Sequence, residues 1–269
     1  TIIADTPSGY AAIVTSANPH DGSSAHRNMA IQFDGPAVVD LLQTENAVLA
    51  LSGRPHVSIA TPGVIDAAAG GERDPTSVKI ITERAIKMTV LEQLGRATAD
   101  DKIDLMMFYL SDTDIIDALI AAHTRGAVLR ILLDPNKDAF GHEKNGIPNR
   151  PVAAKLHKAG LDIRWADVRG EQSHAKMLML RPADGPAVII AGSANFTRRK
   201  LDNLNLETDV MVAGPTDADV FLSAQDYFDT AWRNPNGRSY SLPYDAYAND
   251  SLWLRVKSSV MERSGISTF

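Results

Sequence analysis

The sequence predicts an α/β protein in which one strand and helix framework occurs twice. Three observations carry that expectation. Apolar residues recur with a period of two in short runs and near 3.6 in longer ones, and the two kinds of run alternate along the chain. The 269 residues are 44% hydrophobic and 22% charged, enough to bury one large core or two ordinary ones and too apolar for disorder. Residues 2–36 and 178–215 also share one order: apolar run, Pro/Gly turn, second apolar run, Ser-Ala-Asn, irregular polar stretch, third strand, then Gly-Pro and a helix.

In the first copy, Ile2-Ile3-Ala4 and Ala12-Ile13-Val14 predict strands on either side of a turn, and Met29–Phe33 predicts a third. Pro36 suits the first turn of a helix running to Leu51, because that turn leaves its N–H groups unbonded anyway. Residues 52–76, with three Pro and four Gly, break both periods and predict a linker or excursion. Strands are then expected at Val78–Ile81, Ile103–Tyr109, Leu129–Leu133, Ile163–Trp165, Lys176–Leu180, Val188–Ala191 and Leu206–Val212. Helices are expected at Thr82–Ala97, Asp114–Arg125, Pro151–Ala159 and Thr216–Trp232, the last introduced by Pro215. Beyond Asn234 the chain is turn-rich, and Ser251–Arg263 predicts a final helix. The expected organisation is therefore residues 1–51, an excursion at 52–76, a second unit at 77–234 and a tail at 235–269.

Composition narrows the function classes. No run approaches the ~18 apolar residues needed to span a bilayer, and residues 1–20 lack the basic-then-apolar order of a signal peptide. The absence of Cys excludes disulfides, thiolate metal ligands and a cysteine nucleophile, but fits either redox environment, so the compartment stays open. A net charge of −6 disfavours general nucleic-acid binding while leaving room for a local basic patch.

The residues that carry chemistry gather between 173 and 210. His174 and Lys176 alternate on one strand, so both point to the same face and can reach one phosphate. Gly192-Ser193-Ala194-Asn195 follows the next apolar run, and Glu207 stands at the third. In the first copy Ser16-Ala17-Asn18 matches Ser193-Ala194-Asn195, and Asn28 follows Asn18 by the ten-residue interval that separates Asn205 from Asn195. A neutral imidazole can attack phosphorus and split one hard displacement into two, while a second imidazolium protonates the leaving alcohol. Lys176, Asn195 and Ser193 would donate to the non-bridging oxygens. Glu207 would accept from the other ring nitrogen of His174 and fix its tautomer. His174, Lys176 and Glu207 do not form a hard-cation set, since a charged lysine cannot ligate, so neither metal nor other cofactor is expected. Arg198-Arg199-Lys200 offers a contact to a headgroup or phosphate backbone, though such runs are usually solvated. His142 and Lys144, in a Gly- and Pro-rich loop, are weak candidates for substrate contact. His20, His26, His56, His123 and His157 show no partner pattern.

His174-Ala175-Lys176, followed by Gly192-Ser193-Ala194-Asn195 and Glu207, resembles the second signature motif of the phospholipase D superfamily, H-x-K-x4-D with a downstream G-S-x-N. Residues 85–149 are similar to the strand, helix and strand that lead into that motif in bacterial members. The resemblance covers most of residues 1–50 and 77–232, and it is specific in the second copy and partial in the first. It implies a duplicated mixed-sheet sandwich, two similar domains about a pseudo-twofold axis, with one H-x-K from each meeting in the cleft between them. It further implies metal-independent chemistry through a phosphohistidine on a phospholipid or other phosphodiester, with contact to a membrane surface and nucleic acid as a less favoured partner. The His of the first motif is implied to be the nucleophile and His174 the general acid and base. Ser16 and Asn18 are expected to bind phosphate, and Asp5 and Asn28 to support the site. Two departures stand out. Arg181 occupies the position of the motif's Asp, with Asp184 three residues on. In the first copy Asp5 falls at that position, so the matching His and Lys are expected in a segment upstream of Thr1. A nuclease of the same superfamily and a non-catalytic interaction module are the alternative readings.

Overall fold

The structure, a computed structural model, describes residues 1–7, 9–59, 75–139, 142–143, 145–249 and 251–264. Strands β1 (Ile2–Thr6), β2 (Gly9–Thr15) and β3 (Ala30–Asp34) form a three-stranded antiparallel sheet, followed by helix α1 (Ala37–Leu51) with Pro36 as its N-cap. Ile2 lies opposite Ile13, and Val14 opposite Ile31. One face of this sheet is apolar, so Ala12, Val14, Ile31 and Phe33 are buried together with Val38 and Leu41 of α1.

The second unit runs β4 (Ser77–Thr82), α2 (Glu83–Arg96), β5 (Lys102–Met107), α3 (Thr113–Thr124), β6 (Val128–Leu133), the short pair β7 (Asp138–Ala139) and β8 (His142–Glu143), α4 (Asn149–Lys158) and β9 (Asp162–Ala166). It continues with β10 (Lys176–Arg181), β11 (Ala187–Gly192), α5 (Arg198–Leu201), β12 (Thr208–Gly214), α6 (Asp219–Arg233), β13 (Ser241–Pro243) and α7 (Leu252–Ser264). Eight strands make one mixed sheet in the order β13-β9-β6-β5-β10-β11-β12-β4. Helical crossovers make β5, β6 and β9 parallel, whereas short connections make β10, β11 and β12 antiparallel.

Both faces of this sheet are covered, which is why its strands read as continuous apolar runs. Ile103, Leu105, Ile131, Leu178 and Ile190 meet residues of α2, α3 and α4 on one side. Met106, Met177, Met179 and Ile189 meet Val14, Phe33 and Leu41 of the first unit, and Phe221 and Phe228 of α6, on the other. The first unit is thus a lid stacked on β11 and β12, and its loop 16–29 reaches the end of β10 where His174 stands.

Local differences from the sequence expectation have local causes. β5 ends at Met107 rather than Tyr109, because the side-chain amides of Asn136 and Asn149 take the Phe108 carbonyl at 3.1 and 2.7 Å and draw the chain out of the sheet. α6 begins at Asp219, since Pro215 first closes a turn onto the Ala218 N–H at 3.1 Å. The tail contributes an edge strand, β13, before the expected helix α7. Most of the expected excursion, residues 60–74, lies outside the described residues, as do Lys144 and the last residues of the tail; His142 is placed only as the backbone partner of Ala139.

Arg181, at the motif's Asp position, is half-buried and points toward Asp104 on β5, whose carboxylate is 1% exposed. Arg130 holds the same carboxylate through Nε at 2.7 Å and Nη2 at 2.8 Å and reaches Asp229 of α6 at 2.7 Å. Position 181 thus carries a counterion for a buried carboxylate on the neighbouring strand. Asp184 is exposed beyond the strand.

Candidate active site

His174 is set by a junction between the two units. The backbone of Arg27 donates to the Gln172 carbonyl at 2.9 Å, and the His174 N–H donates to the Arg27 carbonyl at 2.9 Å. The Arg27 guanidinium bonds to Glu171 at 2.9 Å and to the carbonyls of Tyr240, at 3.1 Å, and Asp167. The Ser173 N–H donates to Asp134 at 2.8 Å from the β6 side. These bonds bring the next residue of the first unit, Asn28, to the imidazole.

Asn28 Oδ1 lies 3.1 Å from His174 Nδ1. Its amide orientation follows from its other partners: Nδ2 donates to the Ser23 carbonyl at 2.8 Å, and Oδ1 accepts from Ser16 Oγ at 3.3 Å. Nδ1 therefore carries the hydrogen, and the Nε2 lone pair faces Lys176 Nζ at 3.1 Å. Nζ also donates to the His174 carbonyl at 2.8 Å. The Phe108 ring packs 4.7 Å from the imidazole and 5.4 Å from Nζ, walling both from water on that side.

The expectation that Glu207 holds the second ring nitrogen of His174 is corrected: that partner is Asn28. Glu207 instead accepts from Ser193 Oγ at 2.6 Å, from Asn205 Nδ2 at 2.8 Å and from Lys200 Nζ at 3.0 Å. The reason appears when the two copies are compared bond by bond. Ser193 exchanges bonds with the Thr208 backbone, N–H to carbonyl at 3.1 Å and Thr208 N–H to Oγ at 3.0 Å. Ser16 does the same with Met29, at 3.0 Å for both bonds. Each serine hydroxyl then donates to the residue just before that partner, Glu207 in one copy and Asn28 in the other. Asn28 thus corresponds to Glu207, and the equal ten-residue intervals that matched it to Asn205 are coincidental.

Through these bonds Ser16 braces Asn28 and Ser193 braces Glu207. Asn195 is 6% exposed, and its Oδ1 accepts the Tyr109 N–H at 3.2 Å, leaving the amide nitrogen as the end available to a ligand. Asn18 is exposed, and its backbone N–H donates to Ser23 Oγ at 3.0 Å. Asp5 is exposed on β1 opposite Tyr10, six residues from Ser16 and hence roughly 20 Å away along the strand. Extending the β10–β11 register puts Arg181 opposite Ala187, likewise six residues from Ser193. The two positions are equivalent and both remote from the imidazole.

Three further residues complete the site. Asp209 Oδ1 accepts the Ala194 N–H at 3.0 Å and fixes the turn before Asn195. A Cβ on Gly192 would fall 2.4 Å from the Thr208 carbonyl and 2.5 Å from Asp209 Oδ1, so only glycine lets β11 and β12 approach this closely. His26, which has no sequence pattern, lies 6.0 Å from His174 ring to ring. A cleft of about 860 Å³ opens beside Asn28 and Ser173, with Met106, Leu132 and Tyr227 on its apolar side and Arg27, Arg169 and Arg238 around it.

Burial first, and the Lys176 ammonium second, push His174 down to about 3, so the imidazole of the empty site is neutral. Burial likewise pulls Lys176 down to about 7 against the opposing pull of Glu207 and Asp209, and burial pushes Asp209 up to about 7. An anion between Lys176 and His174 would favour the protonated form of both. The neutral ring has a stability consequence whose sign follows from linkage. The unfolded chain takes up a proton near 6.5 that the folded chain refuses until about 3, so stability falls as pH drops through that window. Thermal denaturation across pH should show a flatter acid limb for His174→Gln than for the wild type. Parallel limbs would refute a neutral buried imidazole.

Comparison with known proteins identifies the family and the fold. The family described as cardiolipin synthase, PLD-like domain, matches residues 90–232, just over half of the chain. A mitochondrial cardiolipin hydrolase of Chlamydomonas reinhardtii is 27% identical over 142 residues, which take in 53% of this chain and 55% of that protein. The chain therefore spans about half the length of that curated relative. Among solved structures, phosphatidylserine synthase of Haemophilus influenzae Rd KW20 aligns with 95% of this chain and 67% of its own, at 12% identity and a TM-score of 0.58. Polyphosphate kinase of Porphyromonas gingivalis aligns with 97% of this chain and 38% of its own, at 14% identity and a TM-score of 0.52. At these identities the two structures speak for the fold alone.

Proposed function

The chain belongs to the phospholipase D superfamily, whose members are phosphodiesterases, and from that premise we propose that it cleaves or transfers a phospholipid phosphodiester through a phosphohistidine, without a metal. The observation that supports this most is the pairing of a neutral His174, its Nδ1–H on Asn28, with a buried Lys176 ammonium 3.1 Å from Nε2. A non-bridging phosphate oxygen would meet Lys176 Nζ and the Asn195 amide, and a bridging oxygen would meet His174 Nε2. In the first step a second imidazole forms the bond to phosphorus as the bond to the leaving alcohol breaks, and His174 gives that oxygen its proton. In the second step His174 takes a proton from water or an acceptor alcohol, which displaces the phosphohistidine.

The two partner residues support this division of roles. A carboxylate beside an imidazole raises its basicity and nucleophilicity, whereas a neutral amide does not. Asn28 leaves His174 the weaker base and, once protonated beside the substrate anion, the stronger acid. On the same reading Glu207, the counterpart of Asn28, would accept from the ring of another H-x-K, with Ser193 as its brace.

Thin-layer analysis of phosphatidylcholine, phosphatidylglycerol and cardiolipin in EDTA, beside a nuclease assay in the same buffer, tests the reading. Lipid turnover undiminished by EDTA is expected. Turnover of nucleic acid alone would assign the site to a nuclease, and activity lost on chelation and restored by added metal would end the metal-free mechanism. Asn28→Asp tests the role of the amide: a carboxylate at 3.1 Å should raise the His174 pKa by roughly 1–3 units and move the alkaline limb of kcat/KM, where the donated proton is lost, to higher pH by a similar amount. An unmoved limb would show that Asn28 does not govern the reacting imidazole.

A further inference from the structure

Helix α7 is apolar on two opposite faces, and among the described residues only one of them is docked. Leu254, at 7% exposure, and Met261 pack on Phe108, Tyr109 and Ile147, while Glu262 accepts the Arg198 N–H at 2.7 Å. At about 100° per residue these positions share one side of the helix with buried Ser258. On the opposite side Leu252, Trp253, Val256 and Val260 fall within about 100° of arc. They are 73%, 64%, 55% and 60% exposed. A helix that only closed its own chain's core would need one apolar stripe.

We propose that this second face is the surface by which the protein docks on an anionic lipid bilayer, and the proposal rests on the phospholipid reading of the site. Charge selects this occupant. The charged residues flanking the stripe are basic: Arg255 is exposed, and Lys257, half-buried, lies 4.9 Å over the Trp253 ring. Arg198, which pairs with Asp202 at 3.6 Å, and Arg199 begin the short helix α5 that Glu262 ties to α7. This is a local basic and apolar surface on a chain of net charge −6. An apolar face with tryptophan and flanking basic residues matches helices that lie in the headgroup region. Self-association through the same face is disfavoured, because a two-fold contact would bring the basic flanks of one copy to the basic flanks of the other. Position also fits. The docked face of α7 rests on Phe108, whose ring is 4.7 Å from His174, so the helix that would carry the membrane contact is packed on the wall of the site.

The test is cosedimentation of the full chain with vesicles of phosphatidylcholine alone and of an equimolar mixture with phosphatidylglycerol. Binding should require phosphatidylglycerol and weaken with salt. Trp253 emission should be quenched by brominated acyl chains in the wild type, and that component should vanish in Trp253→Phe. The double variant Val256→Asp with Val260→Asp should lower partitioning at least about tenfold, and Arg255→Glu with Lys257→Glu should do so at low salt, while turnover of a soluble phosphodiester stays unchanged in both. Vesicle binding equal in wild type and both variants, or no preference for phosphatidylglycerol, would overturn the proposal. A mass by light scattering that is twice the monomer in the wild type and single in the variants would overturn it in favour of self-association. Partitioning is read without turnover, so vesicle binding by a protein that cleaves no lipid would uphold the docking surface and remove the enzymatic reading. Cleavage of detergent-dispersed lipid without vesicle binding would do the reverse.

Discussion

His174→Ala is expected to slow phosphodiester turnover by on the order of 10² to 10⁴, the usual worth of a positioned proton donor, while leaving anion binding largely in place. The two effects separate because they belong to different side chains. Lys176 keeps its ammonium in a buried setting with Phe108 at 5.4 Å, and removing the imidazole takes away none of the groups that hold it apart from the contact at Nε2. The variant should therefore still be stabilised against heating by inorganic phosphate, and by more than a Lys176→Met variant is. Because the missing group is the proton donor, the deficit should shrink for substrates whose leaving alcohol is already acidic, such as a nitrophenyl ester. Undiminished turnover by His174→Ala, or an equal deficit on good and poor leaving groups, would remove His174 from the proton-transfer step.

Much of the fold was legible because burial imposes strict periods. The strands of the large sheet are covered on both faces, so β5, β6, β10 and β11 read as continuous apolar runs, and short polar connections mark their ends. What could not be read was set by contacts distant in sequence. β5 loses Phe108 and Tyr109 because amides from residues 136 and 149 pull the chain aside, and no residue near 108 signals this. The candidate site divides in the same way. His174 and Lys176 were legible as a pair because strand alternation puts them on one face. Their neighbours were not, because Asn28 arrives across a junction between units, 146 residues away. Equal spacing in the two copies pointed to Asn205 as the match for Asn28. Only the serine hydrogen bonds show that the matching residue is Glu207, since it follows its serine by 14 residues and Asn28 follows its own by 12. Asp209 was passed over as one more strand residue, although a carboxylate within an otherwise apolar strand was a signal that could have been used.

The second large effect concerns the departure from the family motif, and it separates compensation from decay. Asp104 is 1% exposed and is the shared counterion of Arg130 and Arg181. Asp104→Ala would leave two partly buried guanidinium groups around an empty position, with only Arg130 keeping another carboxylate, Asp229. Breaking a buried pair from one side typically costs about 3–5 kcal/mol, so the variant should unfold at markedly lower denaturant. Its turnover per folded molecule should be normal, because Met179, the residue opposite Asp104, lies five residues and roughly 17 Å along β10 from His174. Arg181→Ala should cost less in the Asp104→Ala background than alone, since its counterion is already gone. The informative case is Arg181→Asp, which restores the family residue. A site weakened by loss of that residue would gain activity from the change. In this fold the new carboxylate would instead face Asp104 in a poorly solvated setting, so it should destabilise the protein and leave turnover per folded molecule where it was. Arg181→Asp with raised turnover and unchanged stability would show that the motif position acts on catalysis directly.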